Sequence, residues 1–208
     1  MFEDKFYRTT WFGLKDRPYD HYPINEPYFV SIGTCVARDR DKFNGTLYLD
    51  QLAKKMNLDY LNISIDGNNL QWQDMQLQKV IESNLKPSFI LVQLQRPYYW
   101  QNSYFYKLLG DRNMNQKHPL PTKDAYVKGC EFLKEMVSWH YYISENVFFF
   151  NHLCYSKFEF RMLQKTIGDF DNVYLNRWIH SETQTDFDQQ THDTICQKLL
   201  PWLEEKIK

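Results

Sequence analysis

The first residue of this chain that could do chemistry is a cysteine at the end of an apolar run. Cys35 follows Gly33 and Thr34, and the run from residue 28 to residue 33 has the composition of a short buried strand. A thiol where a strand ends and a helix begins is a candidate nucleophile, because a helix N-terminus favours the thiolate. Cysteine also serves as a small apolar residue that fills a turn. The local pattern leaves both interpretations open.

Polar and aromatic residues follow two later apolar runs of the chain. The polar ones are Gly67, Asn68, Gln95 and Arg96, and the aromatic ones that come next are Tyr98, Tyr99 and Trp100. In open α/β sheets the sites form where the carboxyl ends of strands and the N-termini of helices converge, and Cys35 is expected at such a position. Tyrosine and tryptophan combine apolar area with a polar group, which suits sugar faces and protein interfaces alike.

The apolar spacing predicts strands and helices in alternation. Strands are predicted at 29–33, 60–65, 88–94 and 172–176, and helices at 47–57, 70–81, 125–139 and 191–207, the last with Thr191 as N-cap. Residues 147–163 fit either a strand at 147–150 or one helix, and their length favours the helix. Successive strand-helix-strand units imply a parallel sheet with right-handed crossovers, and therefore an α/β domain.

The chain divides into an arm and one domain. Residues 1–27 are polar and aromatic, contain Pro18, Pro23 and Pro27, and show no periodicity, which is typical of an arm laid over the domain. Residues 28–208 form the domain, and residues 96–122 are a long loop insertion rich in Tyr, Asn and Gln. Loops of that length in a compact domain are usually functional or disordered.

Composition narrows the function classes. Lys+Arg 25 against Asp+Glu 26 gives a formal charge of -1, so neither nucleic acid nor a membrane surface is an expected partner. No apolar run approaches the roughly 20 residues of a membrane span and the N-terminus lacks a secretory pattern, so a soluble protein made in a cytoplasm is expected. The four cysteines are far apart, and GxGxxG and P-loop motifs are absent; free thiols and no metal or nucleotide cofactor are expected.

Taken in order, these motifs resemble those of the SGNH (GDSL-like) hydrolase family, with the divergent bacteriophage members most similar. Residues 32–35 look like the nucleophile turn, 62–68 like the second block, 86–94 like the approach to the third block, and 188–202 like the segment that carries the final Asp/His pair and helix. The resemblance covers residues 28 to 205. It implies a three-layer α/β/α sandwich around a flavodoxin-like parallel sheet of four to five strands.

The resemblance also implies roles for individual residues. Cys35 would be the nucleophile, His192 the base and Asp188 its partner; Gly67 and Gln95 would hold the oxyanion; and Asn68, Arg96, Tyr98, Tyr99 and Trp100 would contact substrate. The chain departs from the family pattern because Cys35 replaces serine and His192 follows Asp188 by four positions rather than three. His192 aligns better with a second, helix-capping histidine of the family, which leaves Asp186 in the catalytic position.

Two functions remain as hypotheses. The first is a non-catalytic or weakly active SGNH-like phage protein that serves as a binding or structural subunit, incorporated in a virion, with its aromatic arm and loops against a protein partner and a carbohydrate as ligand. The alternative is an ester hydrolase or acyl transferase that acts on an acylated carbohydrate through Cys35.

Overall fold

The computed structural model describes residues 26–34, 37, 45–64, 68–83, 85–97, 123–151, 157–176 and 188–207. The strands in these residues are β1 (Tyr28–Ile32), β2 (Asp59–Asn62), β3 (Ile90–Leu94), β4 (Val147–Asn151) and β5 (Val173–Tyr174). The helices are α1 (Tyr48–Met56), α2 (Leu70–Glu82), α3 (Lys123–Ile143), α4 (Lys157–Ile167) and α5 (Gln189–Lys206).

The strands form one parallel sheet in the order β2-β1-β3-β4-β5. This is the flavodoxin-like order, and it confirms the predicted α/β class and sheet type. The chain passes from β1 outward to β2 and then crosses back to β3, so the direction of winding reverses between β1 and β3. In open α/β sheets, the crevice beyond the carboxyl ends of two such strands is where ligands bind.

The two faces of the sheet bury different sets of side chains because successive residues of a strand point to opposite sides. On one face, Val30, Ile32 and Val92 pack in a core completed by α2, α3 and α4. On the other face, Phe29 and Leu91 pack in a core completed by α1 and α5. The domain therefore has three layers, with the helices divided between the two faces.

Of the two alternatives for residues 147–163, the strand at the start is correct and the single helix, which length favoured, is wrong. Val147–Asn151 is a strand with all five residues buried, and a separate helix begins at Lys157. Phe149 packs in the core with α3, whereas Phe148 and Phe150 pack in the core with α5. A strand between two helical layers needs apolar residues on both sides, and this pattern has no periodicity that separates it from a buried helix.

Local capping chemistry places two of the helix ends. Asn57 ends α1 in the left-handed region, with φ of 54°, as expected for an asparagine after the last helical residue. The N-cap of α5 is Asp188, not the predicted Thr191, because the Thr191 N–H donates to Asp188 Oδ1 at 2.6 Å.

Most of the predicted arm and most of the predicted insertion lie outside the described residues, as does Asp186. Of the arm, Glu26 and Pro27 are described, and of residues 96–122, Arg96 and Pro97. Within the ten described elements, no helix combines the length and apolar character needed to cross a bilayer.

Candidate ligand site at the carboxyl ends of the strands

The candidate site begins at Gly33 and Thr34, directly after β1 at the point where the winding reverses. Three side-chain amides hold the backbone here. Asn68 Nδ2–H donates to the Gly33 carbonyl at 2.6 Å, and the Thr34 N–H donates to Gln93 Oε1 at 3.2 Å. Asn62 Nδ2–H donates to the carbonyl of Ala37 at 2.6 Å. The residues on both sides of the Cys35 position are therefore fixed by groups from β2, β3 and the segment before α2.

Gly33 is closely packed against three side chains. A Cβ at this position would lie 2.7 Å from Gln93 Oε1 and 3.0 Å from both Ser64 Oγ and the Cβ of Ala37. These distances are shorter than van der Waals contact, so a side chain at this position would push against Gln93, whose Oε1 accepts from the Thr34 N–H.

Asn68 and Gln95 lie together at this edge of the sheet, and their amides are engaged within the protein. Gln95 Nε2–H donates to the Asn68 carbonyl at 3.1 Å, and Gln95 Oε1 accepts from the Arg96 N–H at 3.0 Å. Asn68 Nδ2 is bound to Gly33. The oxyanion role of Gln95 and the substrate-binding role of Asn68 stay predictions, since a donor to an oxyanion must lie about 3 Å from the developing charge.

Arg96 is held by an acidic partner that the sequence did not reveal. Its guanidinium donates to Glu159 Oε1 and forms an ion pair, with only 7% of the Glu159 side chain exposed. Glu159 lies in the first turn of α4, where the helix dipole also favours a carboxylate. Arg96 is therefore anchored beside the point where the 96–122 insertion leaves β3. Its role in binding substrate stays a prediction.

His192 lies on α5 and is 1% exposed. The N–H of Tyr48, at the start of α1, donates to His192 Nδ1 at 3.3 Å, and the two rings stack with centroids 6.1 Å apart. Leu47, the N-cap of α1, provides no side-chain cap, so His192 supplies the acceptor from another helix. An Nδ1 that accepts a hydrogen bond carries no proton, so the neutral ring holds its proton on Nε2.

That arrangement differs from a catalytic base and its orienting acid. In a triad, Nδ1–H donates to a carboxylate and Nε2 is free to take a proton. Here Asp188 caps α5 through Thr191, and Nδ1 of His192 faces a backbone donor. The catalytic roles of His192 and Asp188 stay predictions, whereas these two hydrogen bonds assign both residues to helix capping.

Buried hydroxyl and amide groups surround this part of the sheet. Burial raises the pKa of Tyr48 above its ordinary value, an effect that exceeds the opposing influence of the nearby Ser31 hydroxyl. Those two hydroxyls do not complete a well-formed hydrogen bond, and among the described residues Ser64 Oγ and Gln93 Nε2 also lack a partner. The groups are neutral, so the described part of the site presents polarity without net charge.

The thiols of known position are not suited to nucleophilic chemistry. Cys130 and Cys196 are buried and free, and burial raises the pKa of each thiol. Among the described residues no cluster of His, Cys, Asp or Glu could hold a metal ion. A cavity of about 190 Å³, lined in part by Val80, Lys86 and Asn146, lies at the amino ends of the strands and contributes nothing to this site.

Several predicted site residues lie outside the described part of the chain: Cys35, Gly67, Tyr98, Tyr99 and Trp100. Sequence reasoning missed Gln73 and Glu159. Each is a polar residue within a helix, and the signal that could have found it was its place on the otherwise apolar face that packs against the sheet. Gln73 is 0% exposed and Glu159 5%.

The structure is similar to solved carbohydrate esterases. A carbohydrate esterase whose active site displays divergent catalytic and non-catalytic binding functions matches with a TM-score of 0.54 at 13% identity, over 88% of this chain and 70% of that chain. An acetyl xylan esterase from Butyrivibrio proteoclasticus matches with a TM-score of 0.54 at 11% identity, over 93% and 67%. A family two carbohydrate esterase from Clostridium thermocellum, in complex with cellohexaose, has a TM-score of 0.54 at 11% identity, over 93% and 66%.

No protein-family model matches the sequence, and no curated protein matches it. The similarity is therefore one of architecture. A shared fold does not by itself imply a shared activity. Sheet order, layer arrangement and these structural neighbours agree: the chain has the fold of the SGNH-type carbohydrate esterases.

Proposed function

We propose that this protein is a non-catalytic or weakly active member of the SGNH fold that binds a carbohydrate at the carboxyl ends of β1 and β3. The observation that carries the proposal is the contact between His192 Nδ1 and the Tyr48 N–H. Turnover by acyl transfer needs a proton acceptor within reach of the nucleophile, and this imidazole is engaged in capping α1.

The neutral character of the site supports binding rather than hydrolysis. The side chains around Gly33 are amides and hydroxyls, several of them bound to one another or to backbone, with Arg96 paired to Glu159. The aromatic residues 98–100 follow this site in the sequence, and rings of this kind suit the apolar faces of sugars. One structural neighbour is described as having divergent catalytic and non-catalytic binding functions, and another as a complex with cellohexaose.

We also propose that the protein binds a protein partner through its aromatic arm and the 96–122 insertion. Of the arm, residues 2, 6, 7, 11, 12, 19 and 22 are aromatic. Aromatic residues are enriched where proteins dock, so an arm of this composition suits an assembly such as a virion. Size-exclusion chromatography of a variant that lacks residues 1–25 tests whether the arm contributes to any assembly of the full chain.

Binding is tested by titrating the full-length protein with cellohexaose and with xylo-oligosaccharides, followed by calorimetry. Saturable binding weakened in Trp100→Ala is expected, because one lost aromatic contact costs about 1 kcal/mol or about fivefold in affinity. Glu145→Gln, a change between α3 and β4 at the amino end of the sheet, is the matched control. No saturable binding to either sugar series would refute a carbohydrate ligand.

A thiol esterase is the second candidate, and the fixed backbone on both sides of Cys35 favours it. A preorganised turn is what a nucleophile requires, and the structural neighbours are esterases. Incubation with p-nitrophenyl acetate separates the two candidates. Turnover abolished in Cys35→Ala would establish the esterase and overturn the non-catalytic proposal. Release of less than one equivalent of nitrophenol per chain would support the non-catalytic proposal.

A further inference from the structure

Gln73 is a fully buried amide on α2 that contacts both halves of the candidate site. Its Nε2–H donates to the Gln93 carbonyl at 2.7 Å and, in a longer contact of 3.4 Å, to Asn68 Oδ1. Its Oε1 accepts from the Gln95 N–H at 3.0 Å. With an exposure of 0%, Gln73 is enclosed by protein.

One half of the site is the turn that precedes Cys35. Gln73 reaches it by two routes, because Asn68 donates to the Gly33 carbonyl and Gln93 accepts from the Thr34 N–H. The first route passes through the side-chain amide of Asn68. The second passes through Gln93, whose backbone carbonyl is bound to Gln73 and whose side chain is bound to Thr34. A side chain that leaves α2 therefore restrains the backbone at Gly33 and Thr34, the two residues before Cys35.

The other half is the segment that leads into the aromatic insertion. The Gln95 N–H is the first backbone donor after β3, and Gln73 is its acceptor. Gln95 in turn accepts from the Arg96 N–H. Loss of the acceptor of this partly buried N–H would destabilise the folded state, so the contact helps to fix where the chain turns away from the sheet.

We infer that Gln73 is a positioning residue that couples the turn before Cys35 to the start of the 96–122 insertion. A leucine or methionine would satisfy the apolar requirement of this helix face equally well, so burial alone does not account for an amide here. The inference rests on the proposed function only in placing the ligand at these strand ends. It concerns the geometry of the site and holds whether the site binds or hydrolyses.

The test measures how fast each thiol of the full-length protein reacts with iodoacetamide, by peptide mass spectrometry across pH 6 to 9. Gln73→Met removes all three contacts of the amide. We expect Cys35 to react about fivefold more slowly in this variant than in the wild type, a change that corresponds to about 1 kcal/mol. Cys130 and Cys196 are buried and serve as internal monitors of global opening. Their rates should stay unchanged.

Gln76→Met is the matched control, since Gln76 is also buried on α2, one turn further along, with 4% exposure. Asn68→Ala is a second variant that interrupts one route to Gly33 without altering α2. Asn68→Ala should also slow the alkylation of Cys35. The double variant Gln73→Met/Asn68→Ala should slow it by less than the sum of the two single effects, because the two residues share a route to Gly33.

An unchanged Cys35 rate in Gln73→Met, an equal change in Gln76→Met, or a parallel rise at Cys130 and Cys196 would each overturn the inference. Strictly additive effects in the double variant would overturn it too. Sugar binding is measured separately. Absence of sugar binding in the wild type refutes the proposed function. An equal rate of Cys35 alkylation in the wild type and in Gln73→Met refutes only the positioning role.

Discussion

The two histidines in the described part of the chain, His140 and His192, lie on opposite faces of the sheet and make different contacts. His140 on α3 is 0% exposed and its Nε2 lies 2.7 Å from Asp74 Oδ1 on α2. His192 on α5 accepts from the backbone N–H of Tyr48. His140, which contacts a carboxylate, is thus on the face of the sheet away from α1 and α5. His192, which lies between α1 and α5, accepts a hydrogen bond from the backbone instead.

The comparison of the two histidines shows that a histidine-carboxylate contact by itself does not identify a catalytic site. The pair of His140 and Asp74 joins two helices, with the His140 ring 6.4 Å from the ring of Phe149, a core residue of β4. Its position between α2 and α3 indicates that it holds these helices together. The first histidine therefore acts in helix packing and the second in helix capping, and substitutions at each can separate the two roles.

The largest expected effect is at His140. His140→Ala removes a buried ring and a hydrogen bond to a carboxylate, which together cost about 3 kcal/mol of unfolding free energy. Urea unfolding followed by circular dichroism measures it. Asp74→Ala is the control on the partner side; its carboxylate is 19% exposed and also accepts from Gln78, so a smaller loss is expected. A loss below that of Asp74→Ala would contradict a packing role for His140.

The second-largest loss of unfolding free energy is expected at His192. His192→Phe keeps the ring stacked on Tyr48 but removes the acceptor for the Tyr48 N–H, which costs about 1–2 kcal/mol. The same variant should leave the reaction of Cys35 with iodoacetamide unchanged at neutral pH. A strong loss of that reactivity, with stability preserved, would instead identify His192 as the base that activates the thiol.

The effect at Asp188 should be smaller. Asp188→Ala removes the side-chain cap of α5 and costs about 1 kcal/mol, whereas Asp188→Asn or Asp188→Ser should recover most of it because all three residues accept from the N–H of Thr191. Thermal unfolding compares the series. If Asp188→Asn were as damaging as Asp188→Ala, capping would not explain the residue.

The smallest effect at neutral pH is expected at Tyr48. Its hydroxyl is buried without a well-formed hydrogen bond, so Tyr48→Phe should change stability by less than about 0.5 kcal/mol at pH 7. Burial raises the pKa of Tyr48 in the folded state above the ordinary value of 10.0. The unfolded chain therefore loses this proton first as the pH rises, and folding stability falls above about pH 10.

Tyr48→Phe lacks this titration and should lose less stability than the wild type between about pH 9 and about pH 11. Chemical unfolding at both pH values gives the difference between the two proteins. Because burial also raises the pKa of Tyr28 and Tyr174, only the difference, and not the total alkaline loss, reports on Tyr48. Equal losses in the two proteins would contradict the assignment.

Much of the fold was predictable because it depends on local patterns. The apolar run that became β3 and the asparagine that ends α1 are each identified by a few consecutive residues. The sequence left β4 undecided between a strand and a helix, because a run of apolar residues buried on both faces has the same composition in either. Only its neighbours β3 and β5 decide the matter.

The sequence predicted segments that meet at this edge of the sheet, whereas the roles of the site residues stay predictions. Gly33, Asn68 and Gln95 lie together, as expected of residues that follow the carboxyl ends of parallel strands. The other contacts of the site come from side chains far away in sequence: Arg96 pairs with Glu159, 63 residues later, and Tyr48 with His192, 144 residues later. No local pattern contains such partners.

The sequence by itself determined the alternation of strands and helices, the turn after β1 and the end of α1, since each depends on backbone conformation and burial within one segment. Only the tertiary structure decided that His192 caps a helix, that Glu159 anchors Arg96 and that Gln73 joins two loops. A hydrogen bond is fixed by the position of both partners, and packing of the helices on the sheet sets those positions.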